Sequence, residues 1–281
     1  MTAPTTPGLL DELVADLDAE GDRLRAVVAD LPEGDDGWGH DTPAEGWSVA
    51  AQVAHLAWTD EAAALAARAH VDKASWDALV LAAMADPEGF VDTAALELAA
   101  LPAADLLKRW DAGRAALRDA LRAVPEGVKM PWFGPPMSPA SMVTARFMET
   151  WAHARDVYDA LGADPGDDDR VRHVCHLGIR TRGFAFANRG LEVPEPAPYV
   201  ELTAPSGATW TWGDETSPER VTGPAVDFAL LVTQRVHRAD TALEAVGAGA
   251  EQWLDVAQAF AGPAGSGREP RAGSDLGEVD A

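Results

Sequence analysis

The chain of 281 residues has little sulfur and little positive charge. Its one cysteine, Cys175, excludes an internal disulfide and any zinc site built from several thiolates. Lysine and arginine total 22 against 46 aspartate and glutamate residues, and the formal net charge of -24 disfavours contact with a nucleic-acid backbone or an anionic membrane surface. Nucleic acid is therefore not an expected partner, and a bound metal is expected on nitrogen and oxygen ligands.

Long apolar runs and targeting segments are also missing. No stretch approaches the roughly 20 apolar residues that cross a bilayer, and residues 1–7 lack a basic region followed by an apolar one. Glycine-rich phosphate-binding loops, a Ser-His-Asp set in a nucleophile context and internal repeats are absent as well. These absences predict a cytoplasmic protein that has no membrane partner.

Apolar residues recur at helical spacing through the first part of the chain. Ser48 and Ser138 are plausible N-caps, and Gly162 is a typical helix stop. We therefore predict a mainly α fold that begins with a four-helix bundle over residues 1–166. Its principal helices are expected at 9–31, 48–69, 102–124 and 138–161, with shorter helices near 74–84 and 93–100.

The pattern changes after the acidic linker 167–169. Residues 199–203 and 209–212 alternate between apolar and polar side chains, which predicts two strands. With the helices around them they predict a smaller α+β domain over residues 167–262. Its helices are expected at 170–187, 222–236 and 250–260. The glycine, serine, proline and charged residues of 263–281 predict a disordered tail.

Two histidines and one glutamate give the strongest chemical signal. Glu149 and His153 are four residues apart on the last bundle helix, so their side chains point the same way, and His55 comes from the second helix. Two imidazoles and a carboxylate form a standard three-ligand site for Zn2+, Ni2+ or another divalent ion, with a further position for water, a thiol or substrate. A Glu/His pair at this spacing also occurs by chance on surface helices.

Two separated motifs resemble one protein family. Residues 46–56, GWSVAAQVAHL, resemble the second-helix signature of DinB-like metal-binding bundles, in which Gly-Trp-Ser precedes a ligand histidine. Residues 149–157, ETWAHARDV, resemble the fourth-helix signature of the mycothiol-dependent maleylpyruvate isomerase branch of that superfamily. The resemblance implies an N-terminal bundle whose metal ligands are His55, Glu149 and His153, with mycothiol as co-substrate.

The resemblance continues into the smaller domain through residues 221–227 and 230–235. It implies that an arginine near the end of the helix there serves the active site, for which Arg235 is the nearest match and Arg238 a close competitor. Segments 235–241 and 257–263 look like an actinobacterial subgroup known mainly as metal-binding proteins.

This resemblance implies a metal-dependent isomerase or S-transferase that uses a low-molecular-weight thiol on a small anionic substrate. Arg235 would hold a substrate carboxylate, since its planar guanidinium can donate two parallel hydrogen bonds. Two alternatives use the same ligands: a metal-binding or stress protein without turnover, and a hydrolase in which metal-bound water replaces the thiol. The expected assembly is a monomer or a homodimer.

Four further side chains have roles that the sequence leaves open. Asp156, which follows closely after His153, fits either a carboxylate that orients a ligand imidazole or an exposed helix residue. His173 and His176 fit either a second metal half-site or a surface role. His237 fits either an anion-binding cluster or a solvated helix end.

Overall fold

The computed structural model describes residues 8–87 and 89–271. The chain divides into two compact units, Met1–Pro165 and Gly166–Ala281. Among the described residues, the first unit is built from helices and the second combines helices with a four-stranded sheet. The predicted fold class, a helical bundle followed by a small α+β domain, is confirmed. Within this described part, no helix is both long and apolar enough to cross a membrane.

The larger unit contains four long helices and two shorter ones. In chain order, α1 to α6 are Leu9–Val28, Val49–Arg68, Lys73–Ala85, Phe90–Ala99, Ala103–Ala123 and Pro139–Leu161. Helices α1, α2, α5 and α6 form the bundle, because α1 and α2 each pack against both α5 and α6. Helices α3 and α4 pack on α2. Helix α2 is therefore covered on several sides, and most of its residues are buried.

Local capping chemistry fixes where α2 and α6 begin. The Ser48 hydroxyl accepts a hydrogen bond from the Ala51 amide at 3.3 Å, and the Ser138 hydroxyl accepts one from the Ser141 amide at 3.2 Å. Both serines are N-caps, as predicted. Helix α6 ends at Gly162, whose φ of 60° is left-handed and is readily adopted by glycine.

Apolar side chains fill the bundle in two clusters. One is centred on Leu24, Leu56 and Trp110, and the other includes Leu117 and Val143. Full burial of a leucine or valine side chain contributes about 1.5–3 kcal/mol relative to exposure, so these clusters supply the main driving force for helix association. Packing of these apolar clusters therefore sets the positions of the polar side chains that lie between the helices.

The smaller unit is built around a mixed sheet. Helices α7 to α10 are Arg172–Arg180, Arg182–Asn188, Ala225–Val232 and Ala248–Val256, and strands β1 to β4 are Tyr199–Thr203, Thr209–Trp212, Arg220–Pro224 and Glu244–Val246. The strand order is β2-β1-β3-β4. Strand β1 is antiparallel to β2 and parallel to β3, and β3 is antiparallel to β4.

The predicted helix 222–236 is wrong at both ends. Its first residues belong to β3, where Thr222 pairs with Glu201 of β1 and with Glu244 of β4. Its last residues lie beyond the end of α9, because Gln234 adopts a left-handed backbone with φ of 59°. The Gln234 and Arg235 amides donate back to the carbonyls of Leu231 and Leu230, which closes the helix end as a Schellman motif.

Two other sequence expectations for the smaller unit differ from the structure. The single helix expected at 170–187 is divided at Thr181 into α7 and α8. In the tail expected at 263–281, residues 263–271 form no helix or strand, but the Gly265 carbonyl accepts from Arg189 at 3.0 Å and the Arg271 amide donates to Asp240 at 2.9 Å. Residues 272–281 lie outside the described residues, and their disorder stays a prediction.

Candidate metal centre

Three side chains meet between helices α2 and α6. The Nε2 atom of His55 lies 3.6 Å from Oε2 of Glu149, and the Nε2 atom of His153 lies 3.3 Å from the same oxygen. One ligand atom of each residue lies within 4.8 Å of the other two, and in the described part of the chain no other group of His, Cys, Asp and Glu does this. The three predicted ligands therefore converge.

The carboxyl group of Glu149 is held in its ionised form. Burial alone would raise the pKa of Glu149, but hydrogen bonds from His153 and His55, together with the charge of these imidazoles, lower that pKa well below its usual value. The side chains of His55, His153 and Glu149 are 10%, 13% and 25% exposed, so the trio is largely buried but still accessible to solvent. An ionised carboxylate between two imidazoles provides the negative charge that a divalent cation requires.

The donor set fits Zn2+ or a similar divalent ion. Imidazole nitrogen and carboxylate oxygen are common ligands of such ions. Both imidazoles present Nε2 to one carboxylate oxygen, an arrangement that needs a proton or a metal cation to join nitrogen lone pairs to an anion. The other ring nitrogens differ: Nδ1 of His153 lies 2.5 Å from Oε1 of Gln52, whereas Nδ1 of His55 is buried without a hydrogen-bond partner among the described residues.

Trp47 forms one wall of the trio. Its ring centroid lies 5.4 Å from that of His55 in an edge-on contact and 5.8 Å from that of His153 in a stacked contact. The two imidazole centroids are 4.4 Å apart. Because Trp47 immediately precedes Ser48, the N-cap of α2, the turn that begins the helix also places the indole against both imidazoles.

A buried ion pair joins the same two helices next to the trio. The Nε atom of Arg146 on α6 donates to Oδ1 of Asp60 on α2 at 2.9 Å, and these side chains are only 2% and 4% exposed. Burial raises the pKa of Asp60, and the nearby guanidinium of Arg146 offsets part of that rise. Asp60 follows His55 on α2, and Arg146 precedes Glu149 on α6, so the pair helps to set the alignment of the helices that carry the ligands.

Sequence reasoning missed three of these residues and gave no role to a fourth. Gln52 lies one helical turn before His55, but its partner His153 is 101 positions away in sequence. Asp60 and Arg146 are likewise 86 positions apart. Trp47 was noted only as part of a motif. The one available signal was the presence of charged and amide side chains on apolar helices.

The two candidate arginines lie in the smaller unit, beyond the end of α9. Arg235 is half-buried, and its Nη1 atom donates to the Thr233 carbonyl at 2.7 Å. Arg238 is paired with two carboxylates, those of Glu251 and Asp255, the latter at 2.6 Å. An arginine that already binds two carboxylates is poorly placed to grip a third. The catalytic role of either arginine stays a prediction.

The four residues whose roles the sequence left open differ in burial and in hydrogen bonding. Asp156 is buried, so its reading as an exposed helix residue is wrong, while its orienting role stays a prediction. The Nδ1 atom of His237 accepts from the Ala239 amide at 3.1 Å, which caps a short 3-10 turn. The side chain of His176 is exposed, but partial desolvation lowers its pKa, with Arg180 and Arg172 adding to the effect. His173 is half-buried.

Cys175 is not placed to act as a nucleophile. Its side chain is fully buried, and its thiol donates to the Ala225 carbonyl at 3.3 Å. Burial raises the pKa of Cys175 far above its usual value, which disfavours the reactive thiolate. Any thiolate chemistry at the trio therefore requires a sulfur from another molecule.

The bundle and the trio define a class of protein, a helical bundle with a candidate divalent-metal centre. A family model described as the mycothiol maleylpyruvate isomerase N-terminal domain matches residues 17–158, which include all three members of the trio. The chain belongs to this family. A second family model, described as wyosine base formation, matches residues 194–246 of the smaller unit.

Individual relatives support the family assignment. Two uncharacterized proteins of Mycobacterium tuberculosis, from strains CDC 1551 / Oshkosh and H37Rv, are each 52% identical over 255 residues, which is 91% of this chain and 97% of the relative. Crystal structures of the mycothiol-dependent maleylpyruvate isomerase and of a mutant form align with TM-scores of 0.55 and 0.59. Each covers 85% of this chain and 93% of its own at 16% identity, a likeness that concerns the fold alone.

Proposed function

We propose that this protein is a divalent-metal-dependent enzyme that uses a low-molecular-weight thiol, mycothiol, for isomerisation or thiol transfer on a small anionic substrate. The observation that carries the proposal is the convergence of His55, Glu149 and His153 within 4.8 Å in a chain of the maleylpyruvate isomerase family. Zn2+ is the first ion to test, and maleylpyruvate, which the aligned isomerase is named for, is the first substrate.

In this proposal each residue has a defined task. His55, Glu149 and His153 hold the ion, and Trp47 limits the access of water on one side of the imidazoles. A bound divalent ion would supply the positive charge that favours thiolate over thiol near neutral pH. Arg235 binds the substrate carboxylate, for which a guanidinium is well suited because it can donate two hydrogen bonds in one plane.

The reaction itself then follows from thiolate chemistry. For an isomerase, the sulfur adds to an activated double bond, the resulting single bond rotates, and elimination of the thiolate restores the double bond in the other geometry. For a transferase, the carbon-sulfur bond persists and another group departs. Cys175 cannot supply this sulfur, because its thiol is buried and its pKa is raised. A small external thiol is therefore the consistent choice.

Metal content of the purified protein tests the metal centre. We expect one divalent ion per chain in the wild type and its loss in His153→Ala and Glu149→Gln. His70→Ala is the matched control, since it removes an imidazole outside the trio, one whose Nδ1 atom contacts the Ala67 carbonyl, and should keep the ion. Circular dichroism should show an unchanged fold, because the apolar clusters, and not the ion, hold the bundle together. A wild-type protein that binds no divalent ion would overturn the proposal.

Turnover assays then separate the reaction classes. Metal-loaded protein is incubated with maleylpyruvate or other small unsaturated acids, with and without mycothiol. Turnover that requires both metal and thiol supports the proposal. Metal-dependent turnover without thiol would instead favour the hydrolase, and metal binding with no turnover across the panel would favour a metal-binding or stress protein.

Arg235 is tested separately from the metal. We expect Arg235→Lys to keep the bound ion and the fold while raising KM for an anionic substrate, because lysine offers a point charge in place of a planar pair of donors. Arg189→Lys is the control, since it changes an arginine of the smaller unit that is not a candidate and whose Nη2 atom donates to the Gly265 carbonyl. An unchanged KM in Arg235→Lys would contradict this role.

We further expect the enzyme to act in the cytoplasm, as a monomer or homodimer. Cell fractionation checks the first expectation, and light scattering of the purified protein checks the second.

A further inference from the structure

A chain of hydrogen bonds leads from the loop before α2 to one of the candidate ligands. The hydroxyl Oγ1 of Thr42 lies 2.7 Å from the carbonyl oxygen of Trp47. The amide Nε2 of Gln52 lies 2.9 Å from that hydroxyl, and Oε1 of Gln52 lies 2.5 Å from Nδ1 of His153. Gln52 is fully buried and Thr42 is 9% exposed, so water does not compete freely for these bonds.

The direction of every bond in this chain is determined at its first step. The carbonyl of Trp47 can only accept, so two oxygen atoms 2.7 Å apart require the Thr42 hydroxyl to donate its single proton there. That hydroxyl must then accept from Gln52, which places the amide NH2 of Gln52 toward Thr42 and its oxygen toward His153. Because an amide oxygen can only accept, the Nδ1 of His153 must carry the proton.

We propose that Gln52, oriented by Thr42, is a positioning residue that fixes His153 as the Nδ1–H tautomer and thereby directs the Nε2 lone pair toward Glu149 and the metal position. Its purpose rests on the proposed metal function, but the proton on Nδ1 follows from the hydrogen bonds of Thr42 and Gln52 alone. A ligand histidine is commonly held through its other ring nitrogen, and loss of such a partner typically weakens metal affinity by about 10–100-fold.

The alternative arrangement reverses the whole chain. A rotated Gln52 amide would donate to Nδ1 of His153, and His153 would then present a proton, not a lone pair, at Nε2. The Thr42 hydroxyl would have to donate to Gln52, which would leave it facing the Trp47 carbonyl at 2.7 Å with no hydrogen between the two oxygens. That contact is repulsive. In the first arrangement the Nε2 lone pair of His153 faces Glu149 at 3.3 Å, which a cation at the metal position would make favourable, so the geometry selects the first arrangement for the metal-bound site.

Nitrogen NMR of protein labelled with 15N-histidine measures the tautomer directly. Signals of His153 are identified by their loss in His153→Ala. Spectra are recorded on metal-free protein at about pH 9, well above the usual imidazole pKa of about 6.5, and on the zinc-loaded protein. We expect a proton on Nδ1 in both states and, in the zinc-loaded protein, none on Nε2. Zinc affinity is measured in parallel by competition with a chromophoric chelator.

The variants separate orientation from general destabilisation. Gln52→Met removes the acceptor, so His153 should shift toward Nε2–H, with Glu149 as its acceptor, and zinc should bind about 10–100-fold more weakly. Thr42→Val leaves Gln52 in place but permits its amide to rotate, so it should also shift His153 toward Nε2–H and weaken zinc binding. Thr42→Ser keeps the hydroxyl and should restore the wild-type tautomer and zinc affinity. Gln258→Met and Thr233→Val are controls that make the same changes at buried residues of the smaller unit.

The outcomes also distinguish this proposal from the proposed function. A wild-type His153 with its proton on Nε2 overturns the inference whether or not zinc binds. The inference is also overturned if Gln52→Met and Thr42→Val both fold and keep the wild-type tautomer and zinc affinity. An Nδ1–H tautomer in a protein that binds no divalent ion supports the orientation and overturns only the metal function.

Discussion

Removal of the charge on Asp60 should destabilise the bundle far more than removal of a surface charge. In Asp60→Asn the shape of the side chain is kept, but the buried guanidinium of Arg146 loses its counter-ion. Arginine cannot shed its proton to escape this cost. The Nη2 atom of Arg146 already lacks a hydrogen-bond partner among the described residues, so no second acceptor is in place to compensate.

The expected magnitude follows from the geometry. At the Nε–Oδ1 separation of 2.9 Å, and with an effective dielectric constant of about 20, the attraction is about 6 kcal/mol. Desolvation of two charges costs several kcal/mol per ion, so the intact pair is close to neutral in net free energy. Loss of one partner leaves the desolvation cost of the remaining charge without a compensating attraction, which typically destabilises the folded protein by about 3–5 kcal/mol. Because asparagine still offers an acceptor oxygen, we expect about 3 kcal/mol for Asp60→Asn.

Urea unfolding of the metal-free proteins, followed by circular dichroism, measures the effect without a contribution from ligand binding. Asp77→Asn is the matched control, since it breaks an exposed ion pair with Lys73 whose side chains are 73% and 49% exposed, and it should cost no more than about 0.5 kcal/mol. The double variant Asp60→Leu/Arg146→Met should lose less stability than Asp60→Asn alone. An Asp60→Asn protein as stable as the control would refute the reasoning.

Two further predictions concern the smaller unit and the bundle end. Iodoacetamide should modify Cys175 only after unfolding, because burial and the bond to Ala225 keep its thiol protonated; mass spectrometry that finds rapid modification of the native protein would contradict this. Gln234→Gly should raise the free energy of unfolding by about 1 kcal/mol by relieving a left-handed backbone, whereas Gly162→Ala should lower it by about the same amount. Urea unfolding should show changes of opposite sign in the free energy of unfolding for the two variants. No atom lies within 4 Å of a Cβ added at Gly162, so only backbone strain acts there.

Local patterns were sufficient for much of the bundle. Helical periodicity and capping chemistry depend on residues within a few positions of one another, which is why the starts of α2 and α6 at Ser48 and Ser138 were predicted correctly. The same local spacing indicated Glu149 and His153 as a pair. The predicted domain boundary near residue 166 and the metal-binding and catalytic roles of individual residues stay predictions.

The sheet was harder to predict because strands depend on their neighbours. Strand β3 contains Gly223 and Pro224, which on their own indicate a turn and a helix start. It is extended because β1 and β4 pair with it on either side, and those partners are distant in sequence. The end of α9 was missed for a related reason, since a glutamine in a left-handed backbone carries no sequence signal.

The amino-acid sequence by itself determined the helical bundle, the family and the three residue types that could bind a metal, because these depend on local spacing and side-chain chemistry. Only the tertiary structure decided which distant side chains meet them. The contacts of Gln52 with His153 and of Asp60 with Arg146 join residues 101 and 86 positions apart. Such contacts arise when the apolar faces of α2 and α6 pack, and no pattern along either helix encodes them.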